Sequence, residues 1–123
     1  MRLLIVDDQK GIRMLLTEVF SGHCEAIESC SNGIAALELI PKFNPDLILL
    51  DVKMPGMNGI EVLKRLRDTN RRVKVVLMSA YSDRHFVQET TDLDVAALIM
   101  KPFDLKELKN KIAEICNIEG LAE

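Results

Sequence analysis

The chain has no apolar run approaching the roughly twenty residues that cross a bilayer, so no helical membrane span is expected in it. The opening Met1-Arg2-Leu3-Leu4-Ile5-Val6 is too short for a secretory signal and gives way at once to Asp7-Asp8. Cysteine is scarce. Cys24, Cys30 and Cys116 make neither a dense disulfide framework nor the paired spacing of a zinc site, and reduced thiols in a cytoplasmic setting are expected. The two histidines, His23 and His85, have no cysteine cluster to join. Positive charge is not in excess: 16 Lys and Arg against 19 Asp and Glu leave a net charge of -3. That balance gives no general attraction to nucleic acid or to an anionic membrane, although a local basic patch remains open. There is no repeat and no long linker, and 123 residues suit one domain, 1–123, with one real core.

What is present is a set of short apolar runs bounded by turns, alternating with helical patterns. Leu3-Leu4-Ile5-Val6 is a strand candidate that runs into Asp7-Asp8. Ile12, Leu15, Leu16, Val19 and Phe20 recur at helical spacing, so 10–20 is predicted as an amphipathic helix stopped by Ser21-Gly22. Residues 25–29 alternate only weakly, as an edge strand does. Asn32-Gly33 is a turn, and Ile34, Leu37 and Ile40 suggest a short helix that ends before Pro41. Leu47-Ile48-Leu49-Leu50 is continuously apolar, which suits a strand buried on both faces of a parallel sheet, and it ends on Asp51.

After Pro55-Gly56, Asn58 can cap a helix and Glu61 can complete the reciprocal bond. Ile60, Leu63 and Leu66 line the buried side of that helix. Arg65, Arg67, Arg71 and Arg72 lie near its end, where positive charge suits the dipole. Val73 to Met78 is a further buried strand, leading to Ser79. Residues 82–93 are predicted as a fourth helix with little apolar surface, and 95–100 as a fifth strand ending at Lys101-Pro102. Asp104, with Glu107, caps a last helix whose face is Leu105, Leu108, Ile112 and Ile115. Residues 117–123 are expected to fray. The pattern is five strands alternating with five helices, joined by short right-handed crossovers.

Parallel strands point the same way, so Asp7-Asp8, Asp51, Ser79 and Lys101 gather at one sheet edge, where open α/β sheets bind ligands. Clustered carboxylates in a partly dry pocket resist ionisation, and a divalent cation removes that penalty. Oxygen ligands without Cys or His indicate a hard ion such as Mg²⁺. Lys101 supplies a mobile positive charge, Ser79 a hydroxyl donor, and an Asp carboxylate can be a nucleophile that forms an acyl phosphate. These are the parts of a phosphoryl-transfer site. The Lys101–Pro102 bond is trans by default, though a cis bond would aim the lysine inward.

Val6-Asp7-Asp8, Leu50-Asp51 with Met54-Pro55-Gly56 and Gly59, Ser79-Ala80 and Lys101-Pro102-Phe103 stand in order along essentially the whole chain. On these motifs the chain resembles the receiver domain of bacterial two-component response regulators. The resemblance implies an α/β, (βα)5 doubly wound, flavodoxin-like fold with a five-stranded parallel sheet in order 2-1-3-4-5. It implies that Asp51 accepts a phosphoryl group from a phosphohistidine donor. Asp8 and Asp51, with the carbonyl of Lys53, would hold Mg²⁺ (Mn²⁺ can substitute), with Asp7 acting mainly through water. Ser79 would be the switch hydroxyl, Lys101 the partner of a phosphoryl oxygen, and Lys53 and Tyr81 the positions that tune hydrolysis. The Lys101–Pro102 bond is usually cis in that family. Such a protein assists its own phosphorylation and dephosphorylation and is not a kinase. Two departures stand out. Leu98 occupies the place where output-type members often carry an aromatic switch residue, and Asp94-Val95 replaces a common Gly-Ala.

The partners implied are a sensor histidine kinase and a histidine phosphotransferase, with no direct nucleic-acid or membrane contact, and a monomer or weak dimer. Gln9, Gly11, Ile12, Pro55, Tyr81, Pro102 and Phe103 match the family's docking positions, while Ile12 and Phe103 also suit ordinary packing. His85 and His23 are expected at the surface, and Met54, Met57, Met78 and Met100 in packing. A receiver cut from a longer transcription factor is the main alternative. A haloacid-dehalogenase-type hydrolase would need a second Asp two residues after the nucleophile, where this chain has Lys53. A flavodoxin would need a Ser/Thr-rich phosphate cradle in the first loop, where Asp7-Asp8 would repel phosphate.

Overall fold

The computed structural model describes residues 1–118, 120 and 121, and for residues 81, 84, 86 and 87 the backbone only. Five strands, β1 (Arg2–Val6), β2 (Ala26–Cys30), β3 (Leu47–Asp51), β4 (Lys74–Ala80) and β5 (Val95–Lys101), form one parallel sheet in order β2-β1-β3-β4-β5. Four α-helices connect or follow them: α1 (Lys10–Phe20), α2 (Gly33–Phe43), α3 (Gly59–Thr69) and α4 (Leu105–Cys116).

Successive strand side chains point to opposite faces, and the apolar runs fill both. Leu4, Val6, Ile48, Leu50, Val75 and Leu77 pack under α2 and α3, against Ala36, Ile40, Ile60, Leu63 and Leu66. Leu3, Ile5, Leu47, Leu49, Val76 and Met78 face the other way, against Leu16, Phe20, Leu108 and Ile112 of α1 and α4. Double-sided burial is why β1, β3 and β4 read as continuous apolar runs. β2 lies at the sheet edge, as its weak alternation predicts.

Asn58 and Asp104 cap their helices as predicted, but among the described hydrogen bonds none returns from the Glu61 side chain to the Asn58 amide. Asn58 accepts from the Glu61 amide at 2.9 Å, and Asp104 accepts from the Lys106 amide at 2.7 Å. Asp94 has φ 53°, the left-handed region in which Asp is tolerated better than most non-glycine residues.

Three expectations about the elements need correction. α2 does not stop before Pro41 but continues to Phe43. Proline's fixed φ is compatible with helix, so near the helix end it costs one backbone bond and some crowding of the Leu37 carbonyl, and the Asn44 amide closes the end on the Ile40 carbonyl at 2.8 Å. The fourth helical segment is a 3₁₀ helix, Tyr81–Thr90, not an α-helix over 82–93. Its sparse apolar surface offers little packing to favour the α form. Of the end expected to fray, residues 119, 122 and 123 lie outside the described ones, whereas Leu121 is 1% exposed and packs with Ile118 against the α1/α4 face.

Arg67, expected merely to complement the α3 dipole, is buried. Its guanidinium donates to the carbonyls of Leu93 (2.7 Å), Val73 (2.8 Å), Asn70 (3.1 Å) and Asp94 (3.1 Å), tying the end of α3 to the starts of β4 and β5. Burial lowers its pKa below the usual arginine range.

Candidate active site

The register sets the site. Val6 lies beside Leu50, Asp51 beside Met78, and Ala80 beside Lys101, so the residues that leave β1, β3, β4 and β5 emerge along one edge. The start of α3 closes on β3: the Gly59 amide donates to the Val52 carbonyl at 2.7 Å. A Cβ on Gly59 would collide with the Asp51 carbonyl oxygen and lie 3.0 Å from the Val52 Cα. Only glycine lets the helix sit this close behind the acidic strand end.

Asp7 is fully buried and Asp51 is 5% exposed, while Asp8 faces solvent. One carboxylate oxygen from each of the three lies within 4.8 Å of the others. The Gln9 amide donates to Asp7 Oδ1 at 2.9 Å, and Arg13 donates to the Asp7 carbonyl at 2.7 Å, pinning the turn from β1 into α1. Lys101 Nζ lies 2.7 Å from Asp7 Oδ2 and 3.4 Å from Asp51 Oδ1. Burial first, and then the charge of Asp7, push the Asp51 carboxyl up to about 7. Lys101 opposes the rise and Asp8 adds to it.

Such an oxygen-only, excess-negative cluster suits a hard divalent cation, which would relieve the repulsion that disfavours ionised Asp51. The cluster opens into a cavity of about 450 Å³ lined by Asp8, Asp51, Lys53, Ala80, Asp83 and Lys101 among others.

Asp7, Asp8, Asp51 and Lys101 are thus brought together as the sequence predicts, with Lys53 on the cavity wall. Ser79 is at the strand end but fully buried, and its hydroxyl donates to the Ala80 carbonyl at 3.1 Å. The Tyr81 side chain lies outside the described residues. The Lys101–Pro102 bond is cis, as the resemblance implies and against the trans default.

Of the docking positions, Gln9, Gly11, Pro55 and Pro102 are exposed, whereas Ile12 and Phe103 are partly packed against the α1/α4 core. His23 and His85 are exposed. Met54 and Met78 are buried and Met57 packs against the core. Leu98 packs against the core on the α2/α3 face. The three cysteines are free thiols whose pKa burial raises, that of Cys30 to about 11.

Two residues of the site were missed. Arg13 reads as an ordinary helix-surface arginine, and its i+6 relation to Asp7 has no sequence signature. Asp83 reads as an acid in the first turn of a helix, where the dipole alone accounts for it.

Fold and strand-end chemistry together define a doubly wound α/β domain with an acidic, lysine-bearing site at the switch edge of its sheet. The model of the response regulator receiver domain family matches residues 3–113, and the chain belongs to that family. It is 42% identical over 111 residues to sporulation initiation phosphotransferase F of Bacillus subtilis, covering 90% of each chain. It is 37% identical over 120 residues to regulatory protein AtoC of Escherichia coli, covering 98% of this chain but 26% of the relative. Among solved structures, the receiver domain of AraT, a response regulator from Geobacillus stearothermophilus, superimposes with a TM-score of 0.86 at 26% identity, covering 94% of this chain and 92% of that one. The protein is therefore a signalling receiver. Among the described residues no helix is long and apolar enough to cross a membrane.

Proposed function

We propose that this receiver takes a phosphoryl group from a phosphohistidine donor onto Asp51 and passes it on or binds a target while modified. A carboxylate oxygen of Asp51 bonds to phosphorus, the P–N bond breaks, and the imidazole leaves with its electron pair. The observation that carries this reading is the placement of Asp51. It is nearly buried at the base of an open cavity, with the Lys101 ammonium 3.4 Å away and two companion carboxylates in reach.

Asp8 and Asp51 with the Lys53 carbonyl, and Asp7 through water, would hold Mg²⁺ or Mn²⁺. When bound, the ion offsets charge on the phosphoryl oxygens. Lys101 is the cation free to move from the carboxylates toward a phosphoryl oxygen, and Ser79 can donate to the same group by turning from the Ala80 carbonyl. Lys53, on the cavity wall, and Tyr81 would tune hydrolysis.

A sensor histidine kinase and a histidine phosphotransferase are the proposed partners, in the cytoplasm, with the protein a monomer or weak dimer that touches no nucleic acid itself. The likeness to sporulation initiation phosphotransferase F over 90% of both chains supports a phosphorelay role. A receiver that serves a longer transcriptional regulator is the second reading, supported by the match to about a quarter of AtoC.

Incubation with acetyl phosphate and Mg²⁺, followed by intact mass, tests the acceptor. One added phosphoryl group, absent in Asp51→Asn, is expected. An unmodified wild type, or a mutant labelled as well as the wild type, would refute it. Transfer of label onto a histidine phosphotransferase separates relay from output.

A further inference from the structure

Asp83 lies four residues past Ser79, in the first turn of the 3₁₀ segment, and belongs to none of the strand-end motifs. It is 5% exposed, lines the cavity that holds Asp51, and takes no hydrogen bond or ion pair from any described residue. The two ammonium groups on the cavity wall do not neutralise it. Lys101 is held between Asp7 and Asp51, and Lys53 extends into solvent without a described carboxylate partner. No buried side-chain oxygen among the described residues lacks a partner, so the Asp83 carboxylate oxygens open onto the cavity, where a positively charged group that enters can meet them. Asp8 and Asp51, the other acids on this wall, belong to the proposed metal site and Asp51 also faces Lys101, so Asp83 is the lining carboxylate left to meet a docking phosphoryl donor.

We infer that Asp83 selects among phosphoryl donors by the charge of their leaving group, favouring nitrogen–phosphorus donors over acyl phosphates. The inference rests on Asp51 as acceptor. With a ring-protonated N-phosphoimidazole, the P–N bond breaks as the bond from Asp51 oxygen to phosphorus forms. The imidazole leaves neutral with the bonding pair, so the ring carries positive charge up to the moment of transfer. Asp83 attracts that charge and can accept the ring N–H. With acetyl phosphate the P–O bond breaks and acetate leaves with a full negative charge, which the same carboxylate repels. Repulsion of the phosphoryl dianion is common to both donors, so the ratio of their rates isolates the leaving group.

A unit charge acting across several ångströms of partly solvated cavity alters such a ratio by about five- to tenfold. The test measures phosphorylation of the full chain by N-phosphoimidazole and by acetyl phosphate, with Mg²⁺ at constant ionic strength, read by intact mass. Asp83→Asn should lower the phosphoimidazole-to-acetyl-phosphate ratio by about that factor, Asp83→Ser should match it, and Asp83→Glu should keep the wild-type ratio. Neutral variants that change both rates by one common factor, leaving the ratio intact, would overturn the inference and assign Asp83 a merely structural role. Absence of labelling by either donor in the wild type would instead remove the acceptor reading, and this inference with it.

Discussion

Replacing Asp51 by asparagine should stabilise the metal-free protein, and do so more strongly as pH rises. The Asp51 carboxyl is moved from 3.8 to about 7, by burial first and then by Asp7. A raised carboxyl pKa means that the folded state holds a proton the unfolded chain has lost. No penalty exists below about pH 4, where both states are protonated. It grows between about pH 4 and 7 and is complete above, where the folded protein too must ionise. A shift of roughly three units corresponds to about 4 kcal/mol at most. The cavity admits water, which reduces the effective cost to about 2 kcal/mol. The contact with Lys101 at 3.4 Å is already part of that shift, which it opposes, and so is not subtracted again.

The net gain should be about 1–2 kcal/mol at pH 8, or a Tm higher by about 3–8 °C for a chain of this size. Urea unfolding of both proteins in chelator at pH 5, 6, 7 and 8 measures it. At pH 5 the advantage should be about a third of its final value. Added Mg²⁺ should then close the gap by stabilising the wild type more than the variant. A difference that does not vary with pH, or a variant less stable than the wild type at pH 8 without metal, would refute the electrostatic account of this site.

Three further outcomes follow from contacts elsewhere. Arg67→Met removes four bonds to carbonyls at the α3, β4 and β5 junction, and should cost about 3 kcal/mol by urea unfolding. Gly59→Ala must push α3 away from the Asp51 and Val52 backbone. It should cost about 2 kcal/mol and slow labelling of Asp51, measured by denaturation and intact mass respectively. Leu121→Ala should cost about 2–3 kcal/mol in thermal unfolding, whereas a freely fraying tail would show no change.

The strand-end site was legible because a parallel sheet converts sequence order into spatial proximity. Once Leu3-Leu4-Ile5-Val6 and Leu47-Ile48-Leu49-Leu50 are strands buried on both faces, Asp7-Asp8 and Asp51 have only one edge on which to meet. Lys101 follows from the same rule. The misreadings fall where local pattern competes with tertiary context. Pro41 reads as a stop, but one missing donor so near the end of α2 costs the helix a single bond and leaves its last two residues, Lys42 and Phe43, helical. Residues 82–93 show helical composition without a packing face, and neither propensity nor period distinguishes α from 3₁₀ there. Leu121 follows a helix end and a glycine, which looks like fraying until it is seen buried in the α1/α4 core.

Asp83 and Arg67 make the sharper contrast: Arg67 reads in the sequence only as a complement to the α3 dipole, and Asp83 belongs to no motif at all. A charged residue in the first or last turn of a helix satisfies the macrodipole, and that explanation is complete at the level of sequence. What separates the two is the company that burial imposes. Arg67 is surrounded by four carbonyls at the end of α3 and the starts of β4 and β5, so its charge is consumed within the fold. Asp83 meets no such group among the described residues and faces a cavity that already holds Asp8 and Asp51. A buried charge that the fold satisfies holds structure together. One that the fold leaves unmatched acts on whatever enters, and in this receiver it stands beside the carboxylate proposed to receive the phosphoryl group.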